Sequence, residues 1–431
     1  MDILTALKSS EIGDNMTDAF ISQPELKRYP FYPAMDQITP NTMNYNLIQG
    51  PQQTVTARSL IRDKIPRNYY LRGIFLDLEA IVTKAVTGNG KDTDYNPFDI
   101  NSFGLFKLIR YVRILQANKE IKKIDFNNII DIITNKYDAF TADSIFSVGS
   151  NNTEFRAAAN ASNTTITGLL YIPFSFSQMA KLAPDTSLLH PLELEIAVGN
   201  EYDNNSIYTV IYRHTDADFD TLTVTSLKIT PKYQFSAVDD IFYSELKKNL
   251  YGGEVAKIYL DYSYISYNKS VNGAANAQLV EIPLNLNKLV KRYFIRSLRQ
   301  NTAAAGSTNS EFVDGSDKIS NIKLMSGNRT LYNMNKSEAT LISIVLGNSY
   351  RTASSNAIFG GHTLDATNGF LHEKNNDYSS GFPEAFLEDP KLILTLDADP
   401  NSKHHILITA EYYEVCQLNP KNGILSLMSD K

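Results

Sequence analysis

The sequence predicts an all-β protein: two similar β-sandwiches in tandem, with a few short helices. Three observations predict it. The first is a residue bias, 39 Asn and 25 Tyr with no Trp. Asn favours turns and tolerates positive φ, while Tyr, Ile, Thr and Val favour strands, so the mixture suits short strands joined by irregular loops. The second is an internal match. Ile109 to Ile121 lines up with Ile319 to Leu331, so that Val112 falls on Ile322, Ile114 on Leu324 and Ile121 on Leu331. Bases meet twice, Arg113 on Lys323 and Lys119 on Arg329, and Asn118 meets Asn328 at the expected turn. The third is order. Three weaker matches flank the first: Arg72–Phe75 with Arg292–Ile295, Pro191–Leu194 with Pro390–Ile393, and Leu222–Thr225 with Ile406–Thr409. The separation of matched residues only shrinks along the chain, as expected of two copies whose second has shorter loops. A repeat this long far exceeds the roughly 20–50 residues of a solenoid unit.

Taken in order, residues 1–50 read as an N-terminal arm, with a short helix at Asp2–Lys8 and an extended stretch from Pro24 to Pro40. Ile3, Leu4 and Leu7 share one face of that helix, which is too short to be stable alone in water. The first sandwich spans 51–235. Val55–Ile61, Tyr69–Thr83, Leu108–Gln116, Ile166–Phe176, Leu192–Val198, Ile207–Arg213 and Leu222–Ile229 are its expected strands, and Ser147–Thr165 is a polar loop. Ile124–Tyr137 has helical spacing in Phe126, Ile129, Ile130 and Ile133, with Asp125 as its N-cap. A helical linker follows at 236–254, where Val238–Leu250 ends at Gly252-Gly253 in the manner of a C-cap.

The second sandwich spans 255–418. Lys257–Tyr267 alternates strongly, with Ile258, Leu260, Tyr262 and Tyr264 on one face. Gly273–Gln278 is a small-residue loop, and strands follow at Tyr293–Leu298, Ile319–Met325, Ala339–Leu346, Lys391–Asp397 and Ile406–Val415. Two polar insertions, Asn301–Ser316 and Asn348–Ser380, belong to one end of the sandwich, where long loops make contacts. Residues 419–431 are a C-terminal tail.

Composition narrows the function. With 43% hydrophobic and 20% charged residues the chain is globular rather than disordered. No window approaches a membrane span, and Met1–Leu7 lacks a secretory apolar core, so the chain is expected not to be secreted. A net charge of −6 without a basic block argues against sequence-specific nucleic-acid binding. A single cysteine, Cys416, excludes an internal disulfide framework and reads as a small apolar residue in a late strand.

Enzyme signatures are missing. There is no His-Glu-x-x-His, Gly-x-Ser-x-Gly, Walker loop or Cys-x-x-Cys. Gly88-Asn89-Gly90-Lys91 reads as a turn. Asp92, Asp94 and Asn96 begin a calcium-loop pattern that fails at Pro97 and Phe103, and Asp216, Asp218 and Asp220 have no closing carboxylate. His404 and His405 point to opposite faces of a strand and cannot share a metal; His190 and His214 are isolated, and His362 and His372 fall in the long insertion. No catalytic, cofactor-binding or metal residue is therefore expected.

The tandem strand pattern over roughly residues 51–418, with the segment Ile322-Lys323-Leu324-Met325-Ser326-Gly327-Asn328-Arg329-Thr330-Leu331-Tyr332 and a helix expected from Asn335 to Leu346, resembles a known class. It is similar to the double jelly-roll major capsid proteins of tailless icosahedral viruses. The resemblance implies two tandem jelly-roll sandwiches, no enzyme activity and no cofactor. It also implies a homotrimer whose six lobes tile a quasi-hexagonal lattice. The implied partners are other copies of the chain, neighbouring capsomers, minor capsid or penton proteins and an internal membrane. The implied location is the virion of a virus, such as a bacteriophage, with synthesis in the host cytoplasm. The arm of residues 1–50 would reach under the shell or to a neighbour. Two other classes stay open on the residues alone: a phage tail, fibre or surface β-sandwich adhesin, and a polysaccharide-active β-sandwich hydrolase.

Overall fold

The computed structural model describes residues 43–68, 70–87, 104–137, 145, 163–178, 183–199, 207–213, 219–238, 257–286, 288–301, 313–339, 362–365, 382–383, 387–419 and 421–427. The first lobe holds β1 (Met43–Gln49), β2 (Gln53–Val55), β3 (Ser59–Lys64), β4 (Tyr70–Thr87), β5 (Ile109–Gln116), β6 (Lys119–Asp125), β7 (Asn163–Ile172), β8 (Leu192–Val198), β9 (Tyr208–Arg213) and β10 (Phe219–Val238). Helix α1 (Phe126–Lys136) follows β6, and the single turn α2 (Ser175–Gln178) follows β7. The second lobe holds β11 (Lys257–Asn272), β12 (Gln278–Pro283), β13 (Leu289–Asn301), β14 (Val313–Asp314), β15 (Ile319–Ser326), β16 (Arg329–Asn335), β17 (His362–Asp365), β18 (Phe382–Pro383), β19 (Pro390–Leu396), β20 (Ser402–Asn419) and β21 (Ile424–Leu427).

Each lobe is a pair of antiparallel sheets. In the first, β1-β10-β4-β7, with β2 and β9 also on β10, faces β3-β8-β5-β6. In the second, β11-β20-β13, with β14, β17 and β18 on β13 and β21 on β20, faces β12-β19-β15-β16. Non-consecutive strands are neighbours in the same way in both, which is the jelly-roll connection. Alternate residues fill each core: Ile74, Leu76, Leu78, Val112, Ile196, Ile229 and Tyr233 in the first, and Tyr293, Ile295, Ile322, Leu324, Leu394, Ile406 and Ile408 in the second.

The duplication extends to the irregularities. β5 slips against β6 between Ile114 and Leu115, and β15 slips against β16 between Leu324 and Met325. β5 slips against β8 between Ile109 and Tyr111, and β15 against β19 between Ile319 and Asn321. Bulges re-aim a strand and are built features; two at matching places fix Val112 and Ile322 as equivalent. Asp125 and Asn335 also end β6 and β16 alike. Asn128 Oδ1 accepts from the Asp125 N–H at 3.1 Å, and Glu338 Oε2 accepts from the Asn335 N–H at 2.9 Å while Asn335 Oδ1 accepts from the Glu338 N–H at 3.0 Å. The latter is a reciprocal capping box, which starts the helical turn at Lys336–Ala339.

The flanking matches need correction. Tyr111 pairs with Ala197 and Asn321 with Thr395, so Leu194 is equivalent to Leu392, one residue away from the sequence match. A slip of one would turn every core residue to solvent, so burial settles the register. A one-residue slip also applies to Arg72–Phe75: Leu71 pairs Phe235 and Val290 pairs Tyr412 across the same kind of bulge, making Gly73 the equivalent of Arg292. Continuing along β10, the residues equivalent to Ile406–Thr409 are Ile229–Lys232, not Leu222–Thr225.

Element boundaries differ too. Residues expected as one strand at Val55–Ile61 are two strands separated by a bend, and Met43–Gln49, expected within the arm, pairs along β10. β12 occupies residues expected to lie beyond a loop, Ala339 is helical, β10 runs to Val238, and Ile424–Leu427 of the tail adds to β20. Strand β17 lies inside the expected second insertion. Asp2–Lys8, Gly88–Phe103, Asp216, Asp218, His214, His372 and Gly252-Gly253 lie outside the described residues.

Candidate assembly interface

Beyond the two cores, the seam between the lobes holds an organised set of polar side chains. β6 and α1 of the first lobe lie against the outer face of β11-β20-β13 of the second. Apolar residues on that outer face, Tyr262, Leu407, Tyr413 and Val415, join the core cluster of the first lobe. Strand alternation makes this possible, because Ile406, Ile408 and Ala410 on the same strand face the second lobe's own core.

The polar part is cross-linked and, apart from the half-buried Ser263 and Ser266, buried. Asn128 Nδ2 donates to Ser266 Oγ at 2.6 Å and Thr409 Oγ1 at 3.1 Å. Thr409 in turn donates to Asp131 Oδ2 at 2.6 Å, and Arg296 Nε lies 3.0 Å from Asp131 Oδ1. Burial raises the Asp131 carboxyl above its ordinary value, against the pull of Arg296 and Thr409. Lys122 Nζ donates to the Tyr262 carbonyl at 2.7 Å and lies 2.9 Å from Asp261 Oδ2 and 3.7 Å from Glu414 Oε2. Burial alone would lower its ammonium, but Asp261 and Glu414 reverse the sign and raise it, so Lys122 is charged. Glu414 also accepts from Ser263. Farther along, Gln116 Nε2 donates to the His190 and Gly423 carbonyls at 3.0 and 2.9 Å, and its Oε1 accepts from the Leu425 N–H at 2.7 Å. The segment before β21 is thereby clipped to the first lobe.

The seam joins two different surfaces, so it is a heterologous contact, and the duplication provides each surface a second time. By the register above, Lys122 is equivalent to Tyr332 and Asn128 to Glu338. Glu338 is exposed and Tyr332 half-buried, whereas Asn128 and Lys122 are buried. On the receiving side, Leu47 pairs Gln234 as Tyr264 pairs Glu411, and Gln49 pairs Lys232 as Ser266 pairs Thr409. Tyr264 packs into the seam, whereas Leu47 is 62% exposed. The outer face around Leu47 carries the ion pairs Lys232–Asp77 and Lys228–Glu79, both at 2.6 Å. Among the described residues, Leu47 on the receiving side and Glu338 on the docking side stay exposed.

The residues weighed from sequence for chemistry do not converge. His404 is buried on the second-lobe core side of β20's N-terminal end, with Nδ1 3.1 Å from Ser297 Oγ and Nε2 3.2 Å from Asp399, while the neighbouring His405 points to the other face, is partly exposed and contacts Ser270 at 2.8 Å. Cys416 is buried in β20. Among the described residues no three His, Cys, Asp or Glu side chains are grouped to hold a metal. The seam residues were not singled out from sequence; the one available signal was polar residues, Lys122, Asn128 and Asp131, on an otherwise apolar strand-helix pair.

No family model and no curated protein matches the chain. Solved structures do. PBCV-1 VP54 matches with a TM-score of 0.59 at 12% identity, over 90% of this chain and 97% of that one. A structure of the PBCV-1 virus capsid matches at 0.58 and 14% identity, over 90% and 97%. The Faustovirus major capsid protein matches at 0.55 and 10% identity, over 88% and 91%. The likeness runs through both lobes. This chain has the double jelly-roll fold of viral major capsid proteins.

Proposed function

We propose that the chain is a structural major capsid protein and that three copies close into a ring of six lobes, the tile of an icosahedral virion shell. The fold likeness supports the capsid role. The observation that carries the ring is the seam: a heterologous contact used once inside the chain, with both of its faces repeated and exposed at Leu47 and Glu338. A head-to-tail contact either closes into a ring or runs on as a filament, and six similar lobes in a ring need three two-lobed chains. Leu331, Tyr332 and Glu338 of one copy would dock on Leu47, Gln49 and Lys232 of the next.

Sedimentation of the purified chain tests this. The expected species is a trimer of 48.3 kDa chains, and Leu47→Asp, at an exposed position where folding tolerates a charge, is expected to sediment as a folded monomer. A wild-type monomer across the micromolar range would overturn the ring. A trimer unmoved by Leu47→Asp would remove Leu47 from its interface.

A further inference from the structure

The three most exposed large apolar side chains among the described residues are Leu279 at 71%, Leu47 at 62% and Leu60 at 58%. Leu47 belongs to the receiving face. Leu60 and Leu279 do not. Leu60 lies on β3 and Leu279 on β12, and among the described residues each of these strands is the last of its four-stranded sheet; the Arg62 carbonyl accepts from Gln53 Nε2 at 3.1 Å and the Glu281 carbonyl from Lys269 Nζ at 2.6 Å, so side chains rather than a strand meet them. Leu60 pairs Ala197 and Leu279 pairs Thr395, and Ala197 and Thr395 are themselves equivalent. The two leucines thus occupy one position of the duplicated fold.

A single exposed leucine requires no explanation. Two at the same register of two open edges, in lobes whose other surface residues have diverged, do. Around them the strands alternate alike, with Ile61 buried beneath the first and Val280 and Ile282 beneath the second. Two residues on, on the same outer face, the equivalent positions carry opposite charges: Arg62 and Glu281. Their side chains are 52% and 57% exposed. Each has a partner in its own lobe, Arg62 with Glu195 at 2.8 Å and Glu281 with Lys391 at 3.5 Å, and each keeps half its surface for another contact. An open sheet edge carrying a leucine is an aggregation hazard unless something specific covers it.

We propose that β3 of one copy and β12 of a second copy cover each other, Leu60 against Leu279 and Arg62 beside Glu281. The charges select the pairing, since β3 against β3 would oppose two arginines and β12 against β12 two glutamates. The contact rests on the ring reading only for its place in the assembly. The docking edge of each four-stranded sheet carries β6 or β16, so β3 and β12 stand at the opposite edge, outside the ring's own contacts. The partner copy therefore belongs to a neighbouring ring, and the same weak contact recurs at every lobe.

Single-cysteine variants test it. Leu60→Cys and Leu279→Cys are purified separately, mixed and oxidised; Cys416, buried at 3% exposure, does not compete. The expected result is a covalent dimer in the mixture, at least several-fold above either variant alone. No dimer in the mixture, or as much in one variant alone, overturns the proposal. Sedimentation before oxidation reports the trimer separately, so an intact trimer without cross-links fails this contact alone, and a monomer that still cross-links fails the ring alone.

Discussion

Taking the Lys122 ammonium out of water costs several kcal/mol, and the carboxylates of Asp261 and Glu414 offset that cost only while all three are held together. Lys122→Met keeps the length of the side chain and removes the charge, leaving two buried carboxylates and the hydroxyl of Ser263 without their cation. The expected loss is about 3–5 kcal/mol of stability, read as a lower denaturant midpoint. Removing one of the two carboxylates with Asp261→Asn in the same chain should recover part of it; a loss below about 1 kcal/mol would place Lys122 among ordinary surface pairs. The equivalent position in the second lobe is Tyr332, which needs no counter-charge. The two copies thus differ where one contact is sealed within the chain and its counterpart is the one proposed to meet another copy.

At the scale of elements, what was legible in the sequence was what two copies must preserve. Strands β5 and β15 and the turns after them were legible because their core and turn positions recur at fixed spacing, with positive φ at Ala117 and Asn118 in one turn and at Gly327 in the other, whereas the return strands β6 and β16 were not among the expected strands. The outer strands were not. β12 reads Gln-Leu-Val-Glu-Ile-Pro, with its leucine outward, so its apolar count misplaces the face, and the β10–β4 pair hides two bulges, at Thr225 on β10 and at Arg72 on β4, that shift any ungapped match. The seam was illegible for a different reason: Asn128 and Thr409 are distant in sequence, and neither the helix nor the strand alone needs a polar residue there. β21 is the simplest element to test. It pairs with β20 while its preceding turn is held by Gln116, and Gly423 sits at φ +66° with the Leu188 carbonyl 2.4 Å from where a Cβ would stand. Gly423→Ala therefore strains the backbone and drives a methyl into the first lobe. The expected result is a loss of about 1–3 kcal/mol and faster hydrogen exchange in 421–427 and at His190, whose N–H donates to the Gly423 carbonyl, with the β15–β16 hairpin unchanged. Unchanged exchange in 421–427 would show that the clip does not hold them.

The whole molecule carries its acid-sensitive groups unequally. Burial lowers the imidazoles of both His404 and His405 below the ordinary value, outweighing the nearby Asp399 carboxylate in the first case and aided by Lys403 in the second. Both lie on β20, the strand that serves the second core with one face and the seam with the other. Glu195 in the first lobe is desolvated, which alone would raise it, but hydrogen bonds from Arg113 at 2.6 Å and Arg62 at 2.8 Å hold its carboxyl below the ordinary value. In each case the folded state binds its proton less tightly than the unfolded chain, so stability is complete above the ordinary value and falls as the pH drops through the folded one. The histidines act first, below about pH 6.5, and Glu195 follows below about pH 4.5. Mild acid should therefore loosen the second lobe and the seam before the first lobe responds. Melting temperature is expected to fall between about pH 7.5 and pH 5, with peptides of β13 and β20 losing hydrogen-exchange protection ahead of β5 and β8. His405→Gln, at the partly exposed site, should flatten part of that slope without changing stability at neutral pH. A melting temperature constant over that range, or loss beginning in β5 and β8, would assign the acid response to other groups. In a shell built from such rings, the same order would loosen the joint between the two lobes of each chain before the first sandwich unfolds, because β20 backs the seam while β5 and β8 belong to the first lobe's own core.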